Sequence, residues 1–133
     1  MRVLFADTYY FLALLNREDI GHAKAVELSQ SLANPIVTTM WVLTEVADAI
    51  ASPHQRHRFA ALLQNLRADP DCTIVPATEA LFEQGVSLYS KRRDKSWSLT
   101  DCISFVLMNE WEVTEALTAD IHFEQAGFRA LLR

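Results

Sequence analysis

The sequence predicts an α/β fold built on a mostly parallel sheet. Short β-branched or apolar runs alternate with longer helical stretches along the chain. No linker, repeat or low-complexity tract interrupts the 133 residues, which hold only three glycines and four prolines. A chain of this length forms one domain and buries a core without staples.

Arg2 to Ala6 is an apolar run with the length of a buried strand. Asp7 follows at once, and Thr8 to Asn16 reads as a helix. A second helix covers His22 to Leu32 and is broken by Asn34-Pro35. Ile36 to Thr39 is β-branched and predicts a strand. Met40 to Ile50 reads as a helix closed by Ser52-Pro53, and residues 54–67 form another, with Phe59, Leu62, Leu63 and Leu66 on its apolar stripe. Cys72 to Val75 is the third strand, stopped by Pro76, and Thr78 to Tyr89 is helical. A basic loop, Lys91-Arg92-Arg93-Asp94-Lys95, precedes Trp97. Ser98-Leu99-Thr100-Asp101 opens a helix that runs to Glu110. Ala116 to Thr118 is a fourth strand, His122 to Gln125 a turn of helix, and Phe128 to Leu132 a fifth strand.

The bulk numbers exclude several classes. Cys72 and Cys102 are too few and too far apart for a disulfide scaffold, which fits a reducing cytoplasm. Asp7 interrupts the apolar start and no cleavage pattern follows Leu14-Leu15, so these residues are read as fold and not as a signal peptide. No stretch approaches the roughly 20 apolar residues of a membrane span. The net charge of −5 argues against a nucleic-acid partner taken alone, yet four dispersed acids would supply most of it if they are gathered around cations.

Those acids are Asp7, Glu45, Asp101 and Asp120. Asp7 and Asp120 each follow a strand, where parallel sheets bind ligands. Asp7 could equally be a helix N-cap, and Asp120 a turn residue. Asp101 stands three residues after Ser98, the spacing of a capping box. Thr44, Glu45 and Asp48 could form a solvated face, but the rest of that helix is apolar on nearly every side. Together the four carboxylates would repel one another unless a cation joined them. Hard oxygen donors point to Mg²⁺ or Mn²⁺, which activate water and steady the leaving oxygen of a phosphodiester. His54 and His57 lack the further ligands that a zinc site needs.

Four segments resemble the PIN-domain ribonucleases of the VapC toxin type. They are Val3 to Thr8, Thr44-Glu45-Val46, Ser98 to Ser104, and Ala116 to Phe128; Asp19-Ile20-Gly21-His22 with Ala25 resembles the family's second helix. The likeness covers essentially the whole chain, residues 1–133, as a single domain. It implies a three-layer α/β/α sandwich, a Mg²⁺- or Mn²⁺-dependent endoribonuclease, a homodimer, and inhibition by an antitoxin protein. By position it makes Asp7, Glu45, Asp101 and Asp120 the metal-binding and catalytic quartet, with Asp7 and Asp101 the first ligands. Thr8 and Thr118 match hydroxyl positions that assist the site. Ile121 departs from the pattern, standing where many relatives have a basic residue.

RNA phosphates need positive charge, and Arg92, Arg93 and Lys95 precede Asp101 with Trp97 available to stack, although this can also be a solvated loop. Arg56, His57 and Arg58 are a second cationic group. Tyr9, Tyr10, Phe11 and Trp41 are apolar enough for a dimer interface or for the core. Three other readings compete with a toxin nuclease: a PIN nuclease of RNA processing, a degenerate domain that binds without cutting, and a phospho-acceptor domain. The last wants its acceptor aspartate at the end of the third strand, where this chain has Pro76-Ala77.

Overall fold

A computed structural model describes all 133 residues. Five strands and seven helices alternate: β1 (Leu4–Ala6), α1 (Thr8–Leu15), α2 (His22–Ser31), β2 (Ile36–Thr39), α3 (Met40–Ala49), α4 (Arg56–Ala68), β3 (Cys72–Val75), α5 (Glu79–Lys91), α6 (Leu99–Glu110), β4 (Glu115–Leu117), α7 (Ile121–Gln125) and β5 (Arg129–Ala130). Every expected element is present. The first and last strands are shorter than their apolar runs; β5 pairs in register only as Glu115↔Arg129 and Ala116↔Ala130, although the Leu131 and Leu132 N–H groups still donate to the Ala116 and Thr118 carbonyls.

The strand order is β3-β2-β1-β4-β5, and every pairing is parallel. From β1 the chain steps outward through β2 to β3, then crosses to β4 and steps the other way to β5. Right-handed crossovers therefore put α1–α4 on one face and α5–α7 on the other, giving three layers. The packing agrees: α1 contacts α2 and α3, whereas α5 packs on α6 and α6 on α7. Burial on both faces explains why the strands are near-continuous apolar runs, with Leu4, Phe5 and Ala6 all at or below 2% exposure.

Two features fix the layer that carries α6. Gly85 of α5 lies so close to α6 that a Cβ there would run into the Ile103 side chain, so the absent side chain sets the helix separation. Phe105 sits at the centre of an aromatic cluster, with ring centroids 4.9 Å from Phe123, 5.0 Å from Trp97 and 5.6 Å from Phe128. Edge-to-face and tilted aromatic pairs contribute about 0.5–1.5 kcal/mol each beyond their area. The cluster locks α6 to α7 and to the chain before β5. Gly127, at φ +96°, supplies the left-handed turn between α7 and β5.

Trp97 is thereby corrected. It is 6% exposed, its indole Nε1 donates to Gln125 Oε1 at 3.0 Å, and its ring packs on Phe105. It has no free face for a nucleobase, since the Arg92 guanidinium covers the ring at 4.8 Å. Tyr10 and Phe11 are also core residues, at 6% and 1% exposure, and offer no dimer surface; Tyr9 and Trp41 are partly buried. The large exposed apolar side chains are instead Met1, Ile20, Met40, Phe82, Tyr89, Trp111 and Ile121. No helix is long and apolar enough to cross a membrane.

Candidate active site

The strand order reverses between β1 and β4, and ligands of open parallel sheets bind beyond the carboxyl ends at such a reversal. Asp7 directly follows β1, and Thr118 to Asp120 follow β4. An open cleft of about 510 Å³ lies there, and Asp7, Glu45, Asp101 and Asp120 all line it, together with Thr8 and His122. Acids from nearly opposite ends of the sequence thus share one cavity.

Asp7 is 5% exposed. It occupies the N-cap position of α1 but makes no side-chain capping bond; its Oδ2 accepts instead from the Thr118 hydroxyl at 2.9 Å. Burial, above all, raises its pKa to about 7, and the charges of Asp101 and Asp120 push the same way, against the lowering effect of the Thr118 hydroxyl and the Thr8 backbone N–H. The Thr118 oxygen also accepts the Asp120 backbone N–H at 3.1 Å, so one hydroxyl links both acids.

Asp101 does two things at once. It forms a full capping box with Ser98: the Ser98 hydroxyl accepts the Asp101 N–H at 3.0 Å and Asp101 Oδ2 accepts the Ser98 N–H at 3.2 Å. The same carboxylate faces the cleft, where Oδ2 lies 3.2 Å from His122 Nδ1. Burial raises its pKa and the nearby Asp120 charge adds to the rise, opposed by the Ser98 N–H and by His122.

Asp120 caps α7, its Oδ1 accepting the His122 N–H at 2.9 Å, with His122 Nδ1 3.4 Å away. Glu45 projects from the second turn of α3 and accepts the Thr8 hydroxyl at 2.6 Å. It is half-buried while Thr44 and Asp48 on the same helix are exposed, so the solvated face excludes Glu45.

The cleft contains no lysine or arginine. Oxygens of Asp101 and Asp120 and a ring nitrogen of His122 lie within 4.8 Å of one another, which fits a metal ion. Asp7 and Glu45 line the cleft outside that group, turned onto Thr118 and Thr8. An acid held up near pH 7 beside further acids is what a bound cation would relieve, and two carboxylates with one imidazole form a suitable donor set. His122 was not among the acids picked out by sequence. Its signal was its place two residues after Asp120, where a short helix turns it back over its own cap.

None of Arg92, Arg93 and Lys95 lines the cleft. Ser96 and Ser98 line the cleft, so the loop before them borders it. Arg92 is held bidentately by Asp94, at 3.0 and 3.1 Å, which offsets much of its charge. Arg93 and Lys95 form no ion pair.

Residues 4–129 match the PIN domain family. The chain belongs to that family. This PIN domain is similar to the 23S rRNA-specific endonuclease VapC20 of Mycobacterium tuberculosis, 27% identical over 126 residues and 95% of both chains. The crystal structure of that protein, described as a Sarcin-Ricin loop cleaving toxin, superposes with a TM-score of 0.83, covering 94% of this chain and 95% of the other. Two more distant structures share the fold: FitAcB of Neisseria gonorrhoeae, at TM-score 0.65 and 18% identity, covers 96% of this PIN domain and 94% of its own chain. VapBC2 of Rickettsia felis, solved with a promoter DNA fragment, gives 0.66 and 12%, with 96% of each chain covered.

Proposed function

We propose that this PIN domain is a Mg²⁺- or Mn²⁺-dependent endoribonuclease and the toxin of a toxin–antitoxin pair. The observation that carries the reading is the convergence of Asp7, Glu45, Asp101 and Asp120 on one cleft at the sheet reversal, with no lysine or arginine among its lining residues. The VapC20 likeness supports RNA, and ribosomal RNA first, as the substrate. It also supports an antitoxin as partner, and a cytoplasmic site of action follows from a ribosomal target. A homodimer is part of the same reading, with exposed Met40, Tyr89 and Trp111 as available apolar surface.

In this reading Asp7 and Asp101 hold the metal with Asp120 and Glu45, and His122 adds a donor or orients Asp101. The bound ion would supply Lewis acidity for water and for the phosphodiester oxygens. The chain's own residues do the rest. Thr118 holds Asp7 in position, and Thr8 holds Glu45. Arg93 and Lys95, in the loop that leads to Ser96 and Ser98, meet substrate phosphates.

The test is cleavage of purified large-subunit ribosomal RNA with Mg²⁺, with chelator, and by Asp101→Asn. Cutting only by the unmodified protein with metal is expected. Activity that survives both chelation and the substitution overturns the proposal.

A further inference from the structure

A second polar cleft, of about 810 Å³, opens at the far end of α1. Arg17, Arg58, His22 and Gln55 line it, with Asn16 and Glu18. The two arginines belong to none of the chain's ion pairs. Arg58 is steered inward by a carbonyl: its Nη1 donates to Leu15 O at 3.0 Å, which orients the guanidinium without cancelling its charge. His22 is similarly fixed, its Nδ1 2.7 Å from Ala13 O, which leaves Nε2 free. Gln55 is the N-cap of α4 and His22 the first residue of α2, so two helices of 13 and 10 residues turn their positive ends this way. Glu18 is the cleft's sole acid. In a chain of net charge −5, two unneutralised arginines beside two helix N-termini form a local cationic site.

Its position relative to the catalytic cleft gives it meaning. Tyr9 and Leu12 line the catalytic cleft, and Asn16 lines the cationic one. Tyr9 and Leu12 share one face of α1 and Asn16 is its C-cap, so the helix leads from one cleft to the other. At 1.5 Å per residue the three span about 10 Å of helix axis, a few nucleotides of a polynucleotide strand. We propose that the RNA strand cut at the acidic cleft continues along α1 and that Arg17 and Arg58 take its flanking phosphates. Guanidinium groups suit this ligand because they bind phosphate oxygens through paired N–H donors. The inference rests on the ribonuclease reading for its substrate, but binding can be measured apart from cutting.

The experiment uses a fluorescein-labelled synthetic RNA hairpin and fluorescence anisotropy, with chelator present and Asp101→Asn as the background so that nothing is cut. Affinity is measured across a KCl series. Arg17→Gln/Arg58→Gln is expected to flatten the slope of log K against log salt by about 1.4–1.8, two phosphate contacts' worth. Arg17→Lys/Arg58→Lys should keep most of it. Arg58 also braces the end of α1, so Arg17→Gln alone, at an exposed residue with no hydrogen bond of its own, is the second variant, with an expected flattening of about 0.7–0.9. An unchanged slope in Arg17→Gln and in the folded double variant, or no RNA binding at all, overturns the proposal. Loss of poly-glutamate binding with an unchanged RNA slope would also overturn it, by assigning the cleft to an acidic polypeptide. Cleavage by the unmodified protein is scored separately: binding that needs the arginines without any cutting supports this inference and defeats the nuclease reading, while cutting with an arginine-independent slope does the reverse.

Discussion

Replacing Asp7 by asparagine keeps the side chain's shape and removes its charge. The amide oxygen can still accept from the Thr118 hydroxyl, and no capping bond is lost because Asp7 makes none. Burial and two neighbouring acids lift the Asp7 pKa from 3.8 to about 7. The sign follows from proton binding. Below pH 3.8 the carboxyl is neutral in folded and unfolded chains, and the fold carries no penalty. From 3.8 to about 7 the unfolded chain has released a proton that the folded chain keeps, so stability falls as pH rises; above about 7 it levels off. At 1.36 kcal/mol per pH unit the full loss is about 4 kcal/mol. Asparagine is exempt from all of it.

Without metal, Asp7→Asn should therefore be more stable than the unmodified protein at pH 8 by up to about 4 kcal/mol, and the gap should shrink by about 3 kcal/mol at pH 5. For a domain of this size that difference moves a melting temperature by on the order of 10 °C. Thermal and urea unfolding in chelator at the two pH values measure it. Added Mg²⁺ should then stabilise the unmodified protein and leave the variant nearly unmoved, reversing or closing the gap. If Asp7→Asn unfolds at or below the temperature of the unmodified protein at pH 8 in chelator, or if the gap does not widen with pH, the idea that Asp7 is a buried, uncompensated acid is wrong. The same variant should be inactive on RNA, so the expected result is a protein made sturdier and idle by one atom's change.

Three further outcomes follow from the packing and the site. Gly85→Ala gains up to about 1 kcal/mol of helix propensity but drives a methyl into Ile103, so a net loss of up to about 2 kcal/mol in urea unfolding is expected. Equal or greater stability would mean that α5 and α6 have room to separate. Thr118→Val deletes the hydroxyl that joins Asp7 to Asp120, and RNA cleavage should fall at least tenfold, about 1.4 kcal/mol or more of barrier, with the fold retained by circular dichroism. Arg93→Gln should weaken RNA binding more than Arg92→Gln, because Asp94 already holds Arg92; anisotropy titrations giving the reverse order would remove the loop's assigned role.

The fold was legible because its signals are local. A β-branched run stopped by Pro76, an apolar run followed at once by Asp7, and a largely apolar helical stretch closed by Ser52-Pro53 mark elements without reference to the rest of the chain. Strand ends were less legible: whether Arg2 and Val3 pair depends on the register of β1 against β2 and β4, which no single run encodes. Trp97 misled for a related reason. Beside a basic loop it looks like a stacking platform, and only the placement of Phe105 and Gln125, from α6 and α7, turns it into the core.

The site was legible as a set of acids and not as a geometry. Each acid had a structural alternative, and the structure does not simply discard them. Asp101 is a capping-box residue and a cleft residue through the same Oδ2 atom, and Asp120 caps α7 while facing Asp101. Asp7 is the contrast, sitting at an N-cap position and declining the bond. This division has a physical logic. A carboxylate anchored by backbone N–H groups is held in place whether or not a cation is present, so Asp101 and Asp120 give the cleft a fixed rim. Asp7, buried against one hydroxyl with its pKa near neutrality, is the acid whose charge state depends most on what occupies the cleft. Sequence spacing identifies a cap; only burial and neighbours reveal which acid the fold leaves uncompensated, and in the proposed nuclease that acid is the one through which metal, protonation and stability would be coupled.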